Sequence, residues 1–401
     1  MNIPILFSTR IIRLFCYGFL SVILALYLAE LGLSEAQIGL LLTLTLIGDA
    51  VISLWLTTSA DRIGRRKVLV AGAVLMAGAG LAFVLTRNYI LLVLAATLGV
   101  IAPADKDIGP FLSVEQAGLT QLIPDQQRTA VFAWYNLGGS FAAALGALAS
   151  GWLAQALQGA GLSTFKSYQT IVMGYALGGG LLLVMFLLLT KAVEAPARVN
   201  TGASSVLGLH KSRKVVFKLS SLFALDAFAG GLVVQSMMAY WFHVKFGVET
   251  GLLGTIFFGA NILAGISALL AAGIAKRFGL INTMVFTHIP SNVLLMLVPL
   301  MPSLPLAIIL LLLRFSISQM DVPTRQSYTM AVVDPDERSA ASGVTTIARS
   351  VGSAISPALT GLLLASPALL SVPFLASGGL KIVYDLLLYR EFRSVKPPEE
   401  K

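Results

Sequence analysis

The chain has 401 residues, 57% of them hydrophobic and only 12% charged, and a formal net charge of +9; its mean hydropathy is +0.85. A soluble domain carries roughly a quarter charged residues, so a water-soluble globule is excluded. The single cysteine, Cys16, excludes an intramolecular disulfide.

Apolar runs near twenty residues recur along the chain, each long enough to cross about 30 Å of hydrocarbon as a helix. The alternating pattern of a membrane barrel is absent, so the spans are helices that satisfy their own backbone. Twelve are predicted, at 11–29, 36–58, 68–86, 89–121, 129–156, 168–190, 218–243, 250–275, 281–301, 305–333, 339–365 and 372–391. The first, with Arg10 and Arg13 at its start, lacks a small-residue cleavage site and runs through "LSEAQIG" into the second, as a retained helix does. Between the second and third spans lies the charged turn "ADRIGRRK". The fourth span would be about 50 Å long if regular, which exceeds the bilayer. Within it "GVIAPADKDIGPFLSVEQ" carries Pro103, Gly109 and Pro110, which predict a kink or an unwound stretch there, or else a surface loop and a shorter span.

After the sixth span, "KAVEAPARVNTGASSVLGLHKSRK" is the longest polar stretch and reads as a linker. The expected organisation is a six-helix bundle at 1–190, a cytoplasmic linker at 191–217, and a second six-helix bundle at 218–401 ending in a short cytoplasmic tail. With the N-terminus inside, about 20 of the 28 Lys and Arg residues fall on the cytoplasmic side and about three outside (Arg87, Lys166, Lys245). The basic balance is therefore a topology signal and implies no nucleic-acid partner. An internal repeat supports the division. Shifted by 215, "ADRIGRR" lies on "AKRFGLI", with Arg62 on Arg277 and Gly64 on Gly279. Shifted by 210, Arg128 meets Arg338, Glu115 meets Arg325, Gln116 meets Gln326 and Gly151 meets Gly361. The expected fold is all-α and integral to the membrane: twelve transmembrane helices in two pseudo-symmetric bundles related by an axis along the membrane normal.

With twelve spans, a central linker and a D-R-x-G-R-R-K turn (Asp61, Arg62, Gly64, Arg65, Arg66, Lys67), the chain resembles the major facilitator superfamily over nearly its whole length. The turns from Pro124 to Arg128 and from Pro335 to Arg338 also fit. In appearance it is nearest the drug:proton antiporter-like branch, with that branch's fourth- and fifth-span motifs degenerate. "LAATLGV" has no Arg, Ala147 stands in the fifth span where that branch carries a G-P pair, and Thr57 replaces the Gly that usually opens the loop pattern. The resemblance implies a cavity lined by spans 1, 4, 7 and 10, and an Asp61 lying against the opposite half, where it would help latch the two bundles. Gly64 permits the tight turn. Arg62, Arg65 and the other bases of the turn hold orientation and touch anionic headgroups.

Ionisable groups at membrane depth are costly and so are functional candidates. Asp49 lies about 13 Å and Arg349 about 16 Å from the cytoplasmic helix ends; they either pair across the bundle interface, joining the latch, or are satisfied each in its own bundle. Glu115 and Arg325, opposite charges at mated positions, are expected to form a cytoplasmic gate flanked by Gln116 and Gln326, the alternative being local pairing. Asp105, Lys106, Asp107, Asp321 and Arg314 make up the candidate substrate and proton cavity, with Asp321 as proton carrier. Asp226 could meet Arg13, and Lys381 and Asp385 have the i,i+4 spacing of a helix pair.

His243, His288 and the methionines lack ligand spacing, so no metal is expected, and no phosphate-binding Gly-rich loop or nucleophile–base set appears. The expectation is a secondary transporter without cofactor, not an enzyme. It would move a small organic solute by alternating access, with proton-coupled efflux as the first direction and proton symport or facilitated uptake as the alternative; a non-transporting receptor or lipid-handling protein is the reading from another class. It is expected to be a multi-pass monomer with both termini cytoplasmic, in a bacterial inner membrane.

Overall fold

A computed structural model describes residues 2–103, 110–124, 128–194, 211–334 and 337–395. The described residues form helices and no strands. The first span is α1 (Asn2–Ser21) with α2 (Leu24–Glu30), the second α3 (Glu35–Ile63) and the third α4 (Arg65–Leu85). The fourth is α5 (Tyr89–Leu98) with α6 (Phe111–Leu122), the fifth α7 (Arg128–Gly159) and the sixth α8 (Thr164–Leu187). The seventh is α9 (Arg213–Gly231) with α10 (Gln235–Phe246), followed by α11 (Thr250–Phe278) and α12 (Leu280–Leu297). The tenth is α13 (Leu304–Phe315) with α14 (Asp321–Ala331), and α15 (Arg338–Leu364) and α16 (Val372–Phe392) complete the twelve. Among the described residues, ten helical segments are long and apolar enough to cross a membrane, and two shorter apolar ones, Tyr89–Leu98 and Leu304–Phe315, belong to the fourth and tenth spans.

Local chemistry sets the ends. Ser34 opens α3 with a capping box, its Oγ accepting from Gln37 N while Gln37 Oε1 accepts from Ser34 N. Asn88 Oδ1 accepts from the amides of Ile90 and Leu91 at the start of α5. Gly64 and Gly279, mates in the repeat, turn the chain between α3 and α4 and between α11 and α12 with φ of +107° and +84°. Side chains strongly disfavour that region.

Among the described residues, eight spans are continuous and four are interrupted: the first at 22–23, the fourth at 99–103, the seventh at 232–234 and the tenth at 316–320. A shift of 210 residues carries 22–23 onto 232–233 and Pro110 onto Met320. The repeat is therefore one of broken helices as well as of loops. The fourth-span break begins earlier than the prolines predict, since the helix stops at Leu98. The tenth, drawn continuous over 305–333, is broken. Interrupted helices at membrane depth leave backbone groups that only protein or a wet cavity can satisfy.

The chain divides into two compact units, Met1–Val199 with Val234–Asn261, and Asn200–Val233 with Ile262–Lys401. Lipid supplies little hydrophobic drive between helices, so close approach of small residues holds them. In the first unit a β-carbon on Gly18 would lie 1.9 Å from the Ala143 carbonyl oxygen, and one on Gly146 2.1 Å from that of Phe15, so α1 and α7 touch backbone to backbone. In the second, Gly352 of α15 packs as closely on Ala224 of α9. A core of Leu219, Phe223, Met284, Tyr328, Tyr384 and Leu388 fills the space among α9, α12, α14 and α16.

Candidate functional site

In the first unit, Glu115 on α6 is fully buried. Its Oε2 accepts from Arg13 Nη2 at 2.5 Å and from the Tyr135 hydroxyl at 2.5 Å, and its Oε1 from Thr9 Oγ1 at 2.9 Å. The Arg13 guanidinium also lies over the Phe111 ring, 4.8 Å from its centroid. Glu115 is the repeat mate of Arg325, but its carboxylate is engaged by α1 and α7 of its own unit. A carboxylate taken out of water needs a cation and several donors at once, and these helices supply both. Asp49 follows the same local rule, its Oδ1 accepting from Ser53 Oγ one turn along α3 at 3.2 Å.

Three of the helix interruptions meet in this unit. Gln235 Nε2, at the start of α10, donates to Ser21 Oγ at the end of α1 at 2.8 Å. The amide of Ser236 donates to the Pro103 carbonyl at 3.2 Å, and the Tyr175 hydroxyl holds the Val100 carbonyl at 2.8 Å. Carbonyls freed in the fourth span are thus met by an amide of the broken seventh span and by a hydroxyl of the sixth. Asp105, Lys106 and Asp107, which follow Pro103, lie outside the described residues.

The second unit holds a larger network. Asp226 of α9 is buried, with Lys381 Nζ of α16 at 2.6 Å on Oδ1, and on Oδ2 Arg349 Nη1 of α15 at 3.0 Å and Arg325 Nη1 of α14 at 3.3 Å. Arg325 Nη1 also bonds Asp321 Oδ2 at 2.7 Å, one turn back on α14. Asp385 of α16 takes His288 Nδ1 at 2.9 Å and Asn292 Nδ2 at 3.2 Å, both from α12. Arg349 is the exposed end, its side chain 32% accessible; Asp226 is 4%. Three helices thus converge, through one cation each, on a carboxylate of a fourth.

Several sequence expectations change here. Arg349 bonds Asp226 within its own unit. Lys381 and Asp385 share i,i+4 spacing but bond elsewhere, because Lys381 lies opposite Asp226 and Asp385 opposite His288. Arg13 serves Glu115, and Asp226 takes cations from α14, α15 and α16. Asp321 enters an ion pair with Arg325. Gln116 is half-buried and Gln326 exposed.

At the turn between α3 and α4, Glu194 at the start of the linker accepts from the amides of Arg65 at 2.6 Å and Arg66 at 3.3 Å. It thereby caps the N-terminus of α4 with a carboxylate, the charge a helix start favours. Arg65 Nη1 reaches the Val193 carbonyl at 3.3 Å, Arg62 is exposed, and the side chain of Asp61 lies outside the described residues. Glu337, fully buried, does the same for α9, accepting from the amides of Lys211 and Ser212 at 2.8 Å each. Neither capping glutamate, nor the roles of Thr9, Tyr135, His288 and Asn292, is visible in the sequence pattern. The only signal was that each lone charge in a span needs a partner.

A family model described as the Major Facilitator Superfamily matches residues 6–357. The chain belongs to the Major Facilitator Superfamily. It is 31% identical over 424 residues to the uncharacterized membrane protein YJR124C of Saccharomyces cerevisiae, covering 98% of this chain and 94% of the relative. Solved structures of the same fold include a mutant of the nucleoside transporter NupG, with a TM-score of 0.79 at 15% identity over 98% of this chain and 100% of that one. A bacterial homolog of the human lysosomal transporter Spinster, inward-facing and occupied, gives 0.74 at 17% identity over 98% and 96%. A D-xylose-proton symporter gives 0.73 at 14% identity over 99% and 98%. As a superfamily member the chain is a multi-pass membrane transporter and not an enzyme, and its expected twelve-helix, all-α architecture is the observed one.

Proposed function

We propose that this transporter carries a small organic solute by alternating access in exchange for protons, moving solute out of the cytoplasm. The observation that carries the reading is the ion network of the second unit, in which Asp226 and Asp321 share Arg325 while Arg349 extends the network to an accessible side chain. A proton arriving on Asp321 removes its half of the pair and leaves Arg325 to Asp226 alone. A network of this kind has two discrete arrangements, and protonation selects between them.

Outward direction, and kinship with the drug:proton antiporter-like branch, rest on the D-R-x-G-R-R-K turn. Glu115 and Arg325, released from their local partners in another conformation, are the proposed cytoplasmic gate, and Asp61 with Asp49 and Arg349 the proposed latch. Asp105, Lys106, Asp107, Asp321 and Arg314 remain the proposed solute and proton residues. The protein works as a monomer among lipids with both termini cytoplasmic.

The test is flux in proteoliposomes preloaded with candidate solutes. External acidification should accelerate solute exit and acidify the lumen. Asp321→Asn should abolish that acceleration yet keep solute-for-solute exchange. Full pH-driven exit by Asp321→Asn removes Asp321 as the proton site; saturable binding without any flux removes transport itself.

A further inference from the structure

Arg314, the last but one residue of α13, is a buried cation whose only anionic influence, from Asp321, falls short of a direct ion pair. It is 9% exposed, its Nε has no hydrogen-bond acceptor, and among the described residues it makes no ion pair; its guanidinium rests 4.6 Å from the centroid of the Phe315 ring. Every other buried Arg or Lys among the described residues is engaged: Arg10 by the Tyr135 carbonyl, Arg13 by Glu115, Arg65 by the Val193 carbonyl, Arg325 by Asp321 and Asp226, and Lys381 by Asp226. The nearest acidic residue along the chain, Asp321, gives its Oδ2 to Arg325 at 2.7 Å. Asp226 is taken by three cations, and Asp385 is bonded to His288 and Asn292.

The surroundings repeat the deficit. Arg314 stands at the tenth-span interruption, where 316–320 joins α13 to α14. The backbone there is partly met: Ser316 N donates to the Leu312 carbonyl at 3.0 Å, Ile317 N to that of Arg314 at 3.2 Å, and Gln319 N to Ser267 Oγ at 3.3 Å. Ser318, 5% exposed, has a buried Oγ with no partner. Two buried donors within five residues, one of them charged, lack an acceptor. An isolated buried guanidinium is among the costliest groups a membrane helix can hold.

We infer that the tenth-span interruption is the subsite for an anionic group of the transported solute, with Arg314 supplying the charge and Ser318 a hydroxyl donor. The inference rests on the transport reading above and adds the substrate class to it: a small organic anion bearing a carboxylate or a phosphate. The planar guanidinium fork matches both groups through paired N–H bonds. Bound anion would give Arg314 the direct partner that Asp321, paired with Arg325, does not.

The experiment uses full-length purified protein and a thermal-stabilisation panel at millimolar concentration: succinate and citrate as carboxylates, glucose 6-phosphate and inorganic phosphate as phosphates, and glucose, uridine and choline as neutral or cationic controls. An anion should raise the melting temperature and the controls should not; which anion does so separates carboxylate from phosphate. R314Q should weaken the responding anion by at least about tenfold, and S318A by a few-fold. Should R314Q fail to fold, R314K keeps the charge without the fork and should still weaken binding by about tenfold. Equal affinity in these variants, stabilisation by neutral or cationic solutes only, or no response to any anion overturns the inference. Flux separates the two claims: transport of a neutral solute sinks the anion subsite and keeps the transporter, whereas anion binding lost in R314Q with no flux in wild type keeps the subsite and sinks transport.

Discussion

At the scale of single residues, the charges gathered on Asp226 make it the most exposed point of the second unit's stability. Removing one member of a buried pair leaves the others uncompensated, at about 3–5 kcal/mol. Asp226→Asn leaves Lys381, Arg325 and Arg349 around a neutral amide, so it should lower the unfolding free energy by that order, read as a drop in melting temperature of the purified protein; an unchanged melting temperature would show that the bonds contribute nothing net. Glu115→Gln, which leaves Arg13 buried without its carboxylate, should cost a similar amount. Which residues carry charge into the spans was legible in the sequence, because an ionisable side chain in an apolar run stands out. Which of them pair was not. Asp321–Arg325 and Lys381–Asp385 have the same spacing, yet only the first pair bonds, since the second is pulled apart by Asp226 on one side and His288 on the other. Partners from different spans are set by helix rotation, which spacing does not encode.

At the scale of elements, the four interrupted helices were legible where the breaker is a proline or glycine and hidden where it is not. Pro103 and Pro110 mark the fourth span, and Gly230-Gly231 falls just before the seventh-span break. Ser21-Val22-Ile23 carries no such mark. The tenth span carries a displaced one: Pro323 is the third residue of α14, where a missing amide is tolerated, and it leaves the carbonyl four residues earlier, at Gln319, without its helical donor. Helix contacts give a sharper prediction. Gly146→Ala would place a β-carbon 2.1 Å from the Phe15 carbonyl oxygen and 2.8 Å from Phe19 N, forcing α1 from α7. We expect a loss of about 1–3 kcal/mol or more. Gly180→Ala, with nothing within 4 Å of the new carbon, should be neutral or stabilise by up to about 1 kcal/mol. Thermal unfolding of the two variants side by side checks this, and equal behaviour would contradict the backbone-to-backbone contact.

At the scale of the whole molecule, the twelve spans and the positive-inside bias are composition and periodicity, and they were legible throughout. The two glutamate caps at the starts of α4 and α9 were not, because Glu194 and Glu337 act on amides more than a hundred residues away. Asp61→Asn should slow transport while membrane insertion and yield stay normal; unchanged turnover would remove the latch. The most direct measurement is solute exit and luminal pH recorded together in proteoliposomes, for the wild type and Asp321→Asn, before and after external acidification. The account predicts that acid speeds exit and that protons enter as solute leaves in the wild type, and that Asp321→Asn exchanges solute without responding to acid. Solute exit indifferent to the proton gradient in the wild type would contradict it.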